Sequence, residues 1–295
     1  MKRIDGLSAG IRILCGKSRE TVDRIQLSQG TQAAPESCQG LVYDPESRIP
    51  AGGWRSLGSA EQELLLSGSQ LGNPGYTIAI VTIPAGLLQP LRFLSEEAGA
   101  SLDQARLLPL ARSDASMSAI AEIKKYLRCY LESPDAENAE PRGGIVANPP
   151  ALTTVTVDPR SRKLIGLHAD DWYRFPLNTR HRSPNRICFN IGGQARFFLF
   201  INLSMVAICE AVSTAGSDAS WERIGSTSMG RLFMKLYPCY PIIRIRVDPG
   251  EAYIAPTENV IHDGSSVAMS VLDLSLSLRG QFKLAPALTA DSHAI

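Results

Sequence analysis

Between Arg186 and Arg279 the chain switches repeatedly between short β-rich runs and tight polar turns, and this pattern limits the fold more than any other feature. Arg186–Ile191 is an apolar strand pattern, Gly192-Gly193-Gln194 a turn, and Ala195–Leu203 a second run. Two such runs across a short Gly-containing loop predict a β-hairpin. Ile242–Val247 alternates, Asp248-Pro249-Gly250-Glu251 turns, and Ala252–Ala255 continues the pattern. The last alternating strand is Ala268–Leu278, ending at Arg279. Cys209–Gly230 interrupts the strands with Ser, Thr, Gly and Asp and reads as a long insertion, a lid over a bound molecule or a subunit contact, with a brief helix over Arg231–Tyr237. The architecture predicted is mostly β.

Two short segments bracket this region and carry the chemistry. In Leu167-His168-Ala169-Asp170, the His and Asp are two apart, so on an extended strand both side chains leave from one face. An imidazole and a carboxylate so placed supply two of the three ligands of a two-His-one-carboxylate site, which holds a metal on one side and leaves the opposite positions open. The third ligand must come from elsewhere. His262 is the candidate, so three of the groups able to bind an ion would converge with metal–ligand distances of about 2.0–2.2 Å. His181 is expected to be exposed, and His293 to lie in a polar tail.

The His-x-Asp motif at the start of the strand region and a distal His near its end resemble the iron(II)- and 2-oxoglutarate-dependent dioxygenase superfamily, over about residues 150–282. The resemblance implies a mostly β fold with flanking helices, a double-stranded β-helix (jelly-roll or cupin-like) core braced by N-terminal helices. It implies His168, Asp170 and His262 as ligands of Fe(II), with 2-oxoglutarate and O2 as cosubstrates. It also implies an Arg that pairs with the far carboxylate of 2-oxoglutarate. Arg279 occupies that place, 17 residues after His262 (279 − 262), on a strand face shared with Asp273, Ser275 and Ser277. Its rival is Arg186, alternating with Cys188 and Asn190. A guanidinium suits the task because it forms a bidentate clamp on a carboxylate. Related halogenases have Gly or Ala in place of the carboxylate ligand, so Asp170 favours hydroxylation, desaturation or cyclisation over chlorination.

The loop after Asp170 places Trp172, Tyr173 and Arg174 beside the open side of such a site, as substrate-binding candidates; Arg180, His181 and Arg182 follow. Residues 1–75 form an N-terminal extension without visible chemistry, with short helices expected near Arg19–Leu27 and Ser59–Leu66. Residues 76–149 open on a doubly covered strand, Tyr76–Ile83. A helix through Leu88, Leu91 and Leu94 ends at Gly99 as its C′ residue, and another carries Met117, Ile120, Ile123, Leu127 and Leu131, closed by Ser133-Pro134. Residues 134–149 read as a linker loop, 150–285 as the catalytic core, and 286–295 as a tail.

With 44% hydrophobic residues in 295 the chain can bury a large core. Thirty basic residues against 29 acidic leave a net charge of +1, without a basic stripe for nucleic acid or a pull toward membranes. Six cysteines without Cys-x-x-Cys spacing predict free thiols in a reducing cytoplasm, and no signal peptide or membrane span is expected after Met1-Lys2-Arg3. A Gly-rich phosphate loop with its Lys and a dinucleotide fingerprint are absent from the sequence. The expectation is a cytoplasmic oxygenase, monomer or homodimer, acting on a small metabolite or biosynthetic intermediate. The alternative is a cupin-type metal protein without oxygenase activity, an isomerase or a binding module.

Overall fold

In the computed structural model, residues 6–14, 22–67, 72–100, 102–132 and 140–284 are described. The strands of the N-terminal part are β1 (Arg12–Leu14), β2 (Ile25–Leu27), β3 (Thr31–Ala33), β4 (Ser37–Cys38), β5 (Leu41–Val42), β6 (Arg48–Pro50), β7 (Arg55–Ser56) and β8 (Thr77–Thr82). They are followed by β9 (Arg142–Asn148), β10 (Asn185–Asn190), β11 (Arg196–Ser204), β12 (Ile243–Val247), β13 (Glu251–Ala255), β14 (Val260–Ser265) and β15 (Asp273–Gly280). A six-stranded sheet has the order β1-β8-β13-β10-β15-β9, and a five-stranded sheet the order β14-β11-β12-β2-β7. From β9 onward the chain passes back and forth between the two sheets, and His168 adds a single bridge to the free edge of β14. This is a jelly roll: two facing sheets, not a closed barrel.

The hairpin predicted from β10 to β11 does not form. β10 pairs with β13 and β15, while β11 pairs with β12 and β14, so the Gly192–Gln194 turn carries the chain from one sheet to the other. A turn signal marks a reversal but not the partner, and both strands are buried on both faces because each is covered by a helical layer outside and the opposite sheet inside.

Leu94, Leu107, Ile120, Ile123 and Leu127 from the helices Arg92–Ala100, Gln104–Ala111 and Asp114–Leu127 pack on Ile187, Phe189, Leu274, Leu276 and Leu278 of the larger sheet. The expected bracing helices are therefore present, with local differences. Gly99 lies inside its helix, Met117 is exposed, and Leu131 follows the helix and bridges Phe282. The Ser133-Pro134 stop, the 286–295 tail and His293 lie outside the described residues.

Three other expectations are corrected. Residues 205–236 are two helices, Met205–Thr214 and Trp221–Leu236, whose Ile208, Val212, Met229 and Phe233 cover Leu199, Ile201 and Leu203 of the smaller sheet. The irregular insertion over Cys209–Gly230 is thus only a short connection, and Ser204 starts the first helix by accepting from Ala207 N. Within 134–149, Arg142–Asn148 is not a linker but the edge strand β9, paired along β15. Its Gly143, at φ +148°, approaches Ser277 so closely that a Cβ would collide with the carbonyl, so a glycine that reads as loop is a requirement of the sheet. Finally, of the helix expected near Arg19–Leu27, residues 19–21 lie outside the described residues and Val22 and Asp23 are helical, but Ile25–Leu27 is strand β2; Ile25 and Leu27 point between the sheets, and Gln26 faces out to Arg244. The helix at Ser59–Leu65 is as expected.

The space between the sheets has two characters. On one side Ile25, Leu27, Ile78, Phe198, Phe200, Ile243, Ile245 and Tyr253 form an apolar core. On the other, the inward faces of β10 and β15 present Arg186, Cys188, Asp273, Ser275, Ser277 and Arg279 toward β14 and His168.

Candidate metal centre

His168 and His262 meet through backbone first. His168 N donates to His262 O at 3.1 Å and His262 N to His168 O at 2.7 Å, which fixes the two rings 4.8 Å apart. Each Nδ1 faces a carbonyl, Gly166 O at 2.9 Å for His168 and Val260 O at 3.1 Å for His262. A carbonyl only accepts, so each Nδ1 carries the hydrogen and each Nε2 keeps its lone pair. Both Nε2 atoms turn to Asp170: Oδ1 lies 3.7 Å from His168 Nε2 and Oδ2 3.9 Å from His262 Nε2. All three ligand atoms fall within 4.8 Å of one another, and all three residues are buried. Two unprotonated nitrogens and a carboxylate converging out of water match the donor set of a divalent transition metal, so the residues fit the ion.

The surroundings hold Asp170 ionised and His262 neutral, but favour the protonated form of His168. Burial alone would raise Asp170, but Arg186 Nη2, 2.5 Å from Oδ2, outweighs it and holds the carboxyl well below its ordinary range. His262 is pushed down to about 3 by burial, with only partial compensation from Asp170. His168 is different: burial lowers it, yet the hydrogen bond to Asp170 and the charge of Asp263 outweigh that, so its pKa ends above the ordinary value. Metal binding needs neutral imidazole. The sign therefore runs one way: from pH 6.5 up to the raised His168 value, loading a metal expels a proton, and affinity climbs with pH across that window. Calorimetric Zn(II) titration at pH 6.5–7 in two buffers of different ionisation enthalpy should show release of up to about one proton; release of none would contradict it.

Sequence reasoning missed three residues. Asp263, fully buried, accepts from Val155 N, Thr156 N, Thr156 Oγ1 and Gly264 N, and its Oδ2 lies 3.8 Å from His168 Nδ1. Arg180, taken for a loop residue, is buried: it donates to Glu258 O, Phe175 O and Asp170 O, and pairs with Asp171 at 2.8 Å. It clamps the segment that presents Asp170. Arg196 pairs with Asp273 at 3.1 Å between the sheets and donates to Cys188 Sγ; Gly264 leaves the room its guanidinium occupies. Only Gly264, next to His262-Asp263, offered a signal, since a glycine inside a strand marks close approach by another group.

The remaining candidates separate. Arg186 lies at the three converging groups through Asp170. Arg279 is directly opposite it on β15, with its guanidinium over the Trp172 ring at 4.2 Å. Trp172 and Tyr173 are exposed at the rim; Tyr173 N donates to Glu258 Oε1, and Arg174 is exposed at φ +52°. His181, expected to be exposed, is half-buried and stacks on Tyr76.

Two imidazoles and a carboxylate share one point on a jelly-roll scaffold. No family model matches the sequence, and no curated protein matches it. Among solved structures the chain is similar to the Kdo hydroxylase KdoO, a non-heme Fe(II) α-ketoglutarate-dependent dioxygenase. With its cobalt(II) complex the TM-score is 0.37 at 16% identity, over 74% of this chain and 82% of that one. With its succinate and Fe(III) complex the TM-score is 0.36, at the same identity and coverage. Among the described residues no helix is long and apolar enough to cross a membrane.

Proposed function

We propose that the chain is an iron(II)- and 2-oxoglutarate-dependent oxygenase of a small metabolite or biosynthetic intermediate. The observation that carries this reading is the convergence of His168 Nε2, His262 Nε2 and the Asp170 carboxylate beside a polar inner face. His168, Asp170 and His262 would hold the iron, which when bound supplies oxygen activation coupled to decarboxylation of 2-oxoglutarate. Hydrogen bonds from the two Nδ1 atoms orient the rings, and Arg186 and Arg180 fix Asp170 by side chain and backbone. Because Asp170 is ionised and held in place, it keeps the position that a halide would need, so hydroxylation or desaturation is favoured.

For the cosubstrate, Arg186 is the better placed of the two arginines. Its Nη2 is on Asp170, while its Nη1 has only a 3.5 Å contact to Ser277 Oγ and its buried Nε has no partner, leaving donors for an entering carboxylate. Arg279 is one strand farther out. Replacing Arg186 with Ala, at saturating iron, should raise the 2-oxoglutarate requirement by about 2–5 kcal/mol of lost binding. Arg279→Ala should leave that requirement within about threefold, an effect under 1 kcal/mol. The reverse ranking in 2-oxoglutarate titrations would reassign the anchor.

The reading itself is tested by anaerobic addition of iron(II) and 2-oxoglutarate. A weak visible band near about 500 nm is expected from the chelated cosubstrate. Tight iron binding without that band at saturating 2-oxoglutarate would instead mark a cupin-type metal protein.

A further inference from the structure

The smaller sheet has a second cavity on the face turned away from the metal centre. Phe200 of β11 is directly opposite His262 of β14, and Phe200 lies in the apolar core between the sheets. Side chains alternate along a strand, so Leu199, one residue before Phe200, leaves the outer face. Arg244 of β12 is opposite Leu199, and Gln26 of β2 is opposite Arg244, so the three share that face. The paired strands β3 and β6 lie across it, and a cavity of about 310 Å³ remains between them and the sheet. Ile49 and Pro50 of β6, Leu199, Val267 and the Trp54 ring make its wall largely apolar. Among the described residues that line it, Arg244 alone is charged. Benzene fills a cavity of about 150 Å³, and small-molecule pockets run from about 300 Å³ upward, so the space suits a small ligand.

Arg244 is held in place without a counter-charge. Its guanidinium lies over two rings, 4.2 Å from the centroid of Trp54 and 4.6 Å from that of Phe197. Its Nε and Nη2 both donate to one neutral acceptor, Gln26 Oε1, at 2.8 and 2.5 Å, and Nη1 has no partner among the described residues. Nearby arginines differ: Arg246 pairs with Asp248 at 3.1 Å, and Arg24 pairs with Asp248 and Glu251. No carboxylate among the described residues opposes the burial of Arg244, which lowers its pKa. Ring faces attract a cation but do not neutralise it, and a partly desolvated charge is costly until it is paired. We propose that this cavity binds a small monocarboxylate with an apolar body, the carboxylate on Arg244 and the body against Trp54, Leu199 and Val267. One guanidinium balances one negative charge, and no second cation lines the cavity to take a dianion such as a phosphate ester. The apolar wall gains by removing a hydrocarbon body from water. Because the site is on the opposite face of the sheet from His262, it does not rest on the oxygenase reading.

The test titrates 3-phenylpropionate and octanoate calorimetrically into the metal-free full chain, with 3-phenylpropanol as the neutral control and inorganic phosphate as the competing anion. At least one monocarboxylate should bind saturably, about tenfold or more tighter than 3-phenylpropanol or phosphate, and whichever is tighter tells a ring-shaped body from a straight chain. Arg244→Met should lose about tenfold, and Arg244→Lys should recover part of it. Tryptophan fluorescence should change on binding, and the change should vanish in Trp54→Phe. Arg186→Ala should keep the affinity within about threefold, because that arginine is at the metal centre. Thermal melts check that the variants fold. Absence of saturable binding by both monocarboxylates overturns the inference, as does equal affinity in wild type and Arg244→Met. Loss of binding in Arg186→Ala overturns it by assigning the probe to the metal centre. Tighter binding of inorganic phosphate than of either monocarboxylate overturns the ligand class.

Discussion

Replacing His262 with Ala should reduce divalent-metal affinity by more than the ~10–100-fold that loss of a supporting residue costs, and should remove any metal-dependent turnover with it. His262 supplies one of three converging ligand atoms, and no other His, Cys, Asp or Glu of the described residues joins the cluster to replace it. The backbone should tolerate the change, because the reciprocal bonds between residues 168 and 262 are main-chain. The variant therefore separates ligation from folding: a near-wild-type melt with metal binding lost is the expected pair of results. Asp263→Asn is the informative contrast. Asp263 touches His168 only at 3.8 Å from the side away from the ligand atom, so its loss should fall inside the 10–100-fold range. Equal losses from the two substitutions, by competition with a metal-sensitive dye, would mean that His262 is not a ligand.

Breaking the Arg196–Asp273 pair should be the most destabilising single change away from the apolar core. Asp273 is fully buried and Arg196 nearly so, joined at 3.1 Å, with Asn148 Nδ2 on the second carboxylate oxygen at 3.0 Å. Burial works against the charged guanidinium, but the charge of Asp273 outweighs it and raises its pKa. Asp273→Ala leaves that charge stranded between the sheets, at a cost of about 3–5 kcal/mol. Against a typical total of about 5–15 kcal/mol, this would be a large fraction of the stability of the fold. In a chain of this size the melting temperature should fall by roughly 6–20 °C. The double change Arg196→Met with Asp273→Leu should restore most of the loss, since apolar replacement of a buried pair is often neutral. A single variant melting within about 2 °C of wild type would show that the pair contributes little.

What could be read from the sequence was local. Alternation at Ile242–Val247 marks a strand because side chains of a strand alternate between faces, and Asp273, Ser275, Ser277 and Arg279 do share one face, the face of Arg186 and Cys188 on the neighbouring strand. His168 and Asp170 turn to one point, as their spacing of two suggested, and His262, the candidate third ligand that the family resemblance implied, joins them. What escaped depended on partners distant in the chain. β10 lies next to β15 and not β11, a choice made by the burial of both faces and invisible to the intervening turn. Gly143 and Gly144 look like loop residues until Ser277 is seen pressing on Gly143. Arg180 and Arg196 carry the same formal charge as the solvated arginines around them, and only the fold reveals that carbonyls and Asp273 surround them.

The reciprocal bond pair between His168 and His262 has a consequence for how the molecule would be assembled. It closes a loop of 94 residues (262 − 168), so the two imidazoles become neighbours only after β10 to β14 have found their sheets. In the unfolded chain the entropy of closing such a loop keeps the rings apart, and an ion meets at most isolated side chains. Occupancy is then a late event that can report completion of the sandwich, and each bound ion draws the population toward the folded form by mass action. Scarcity of the metal would be felt as a shorter-lived protein as well as a less active one.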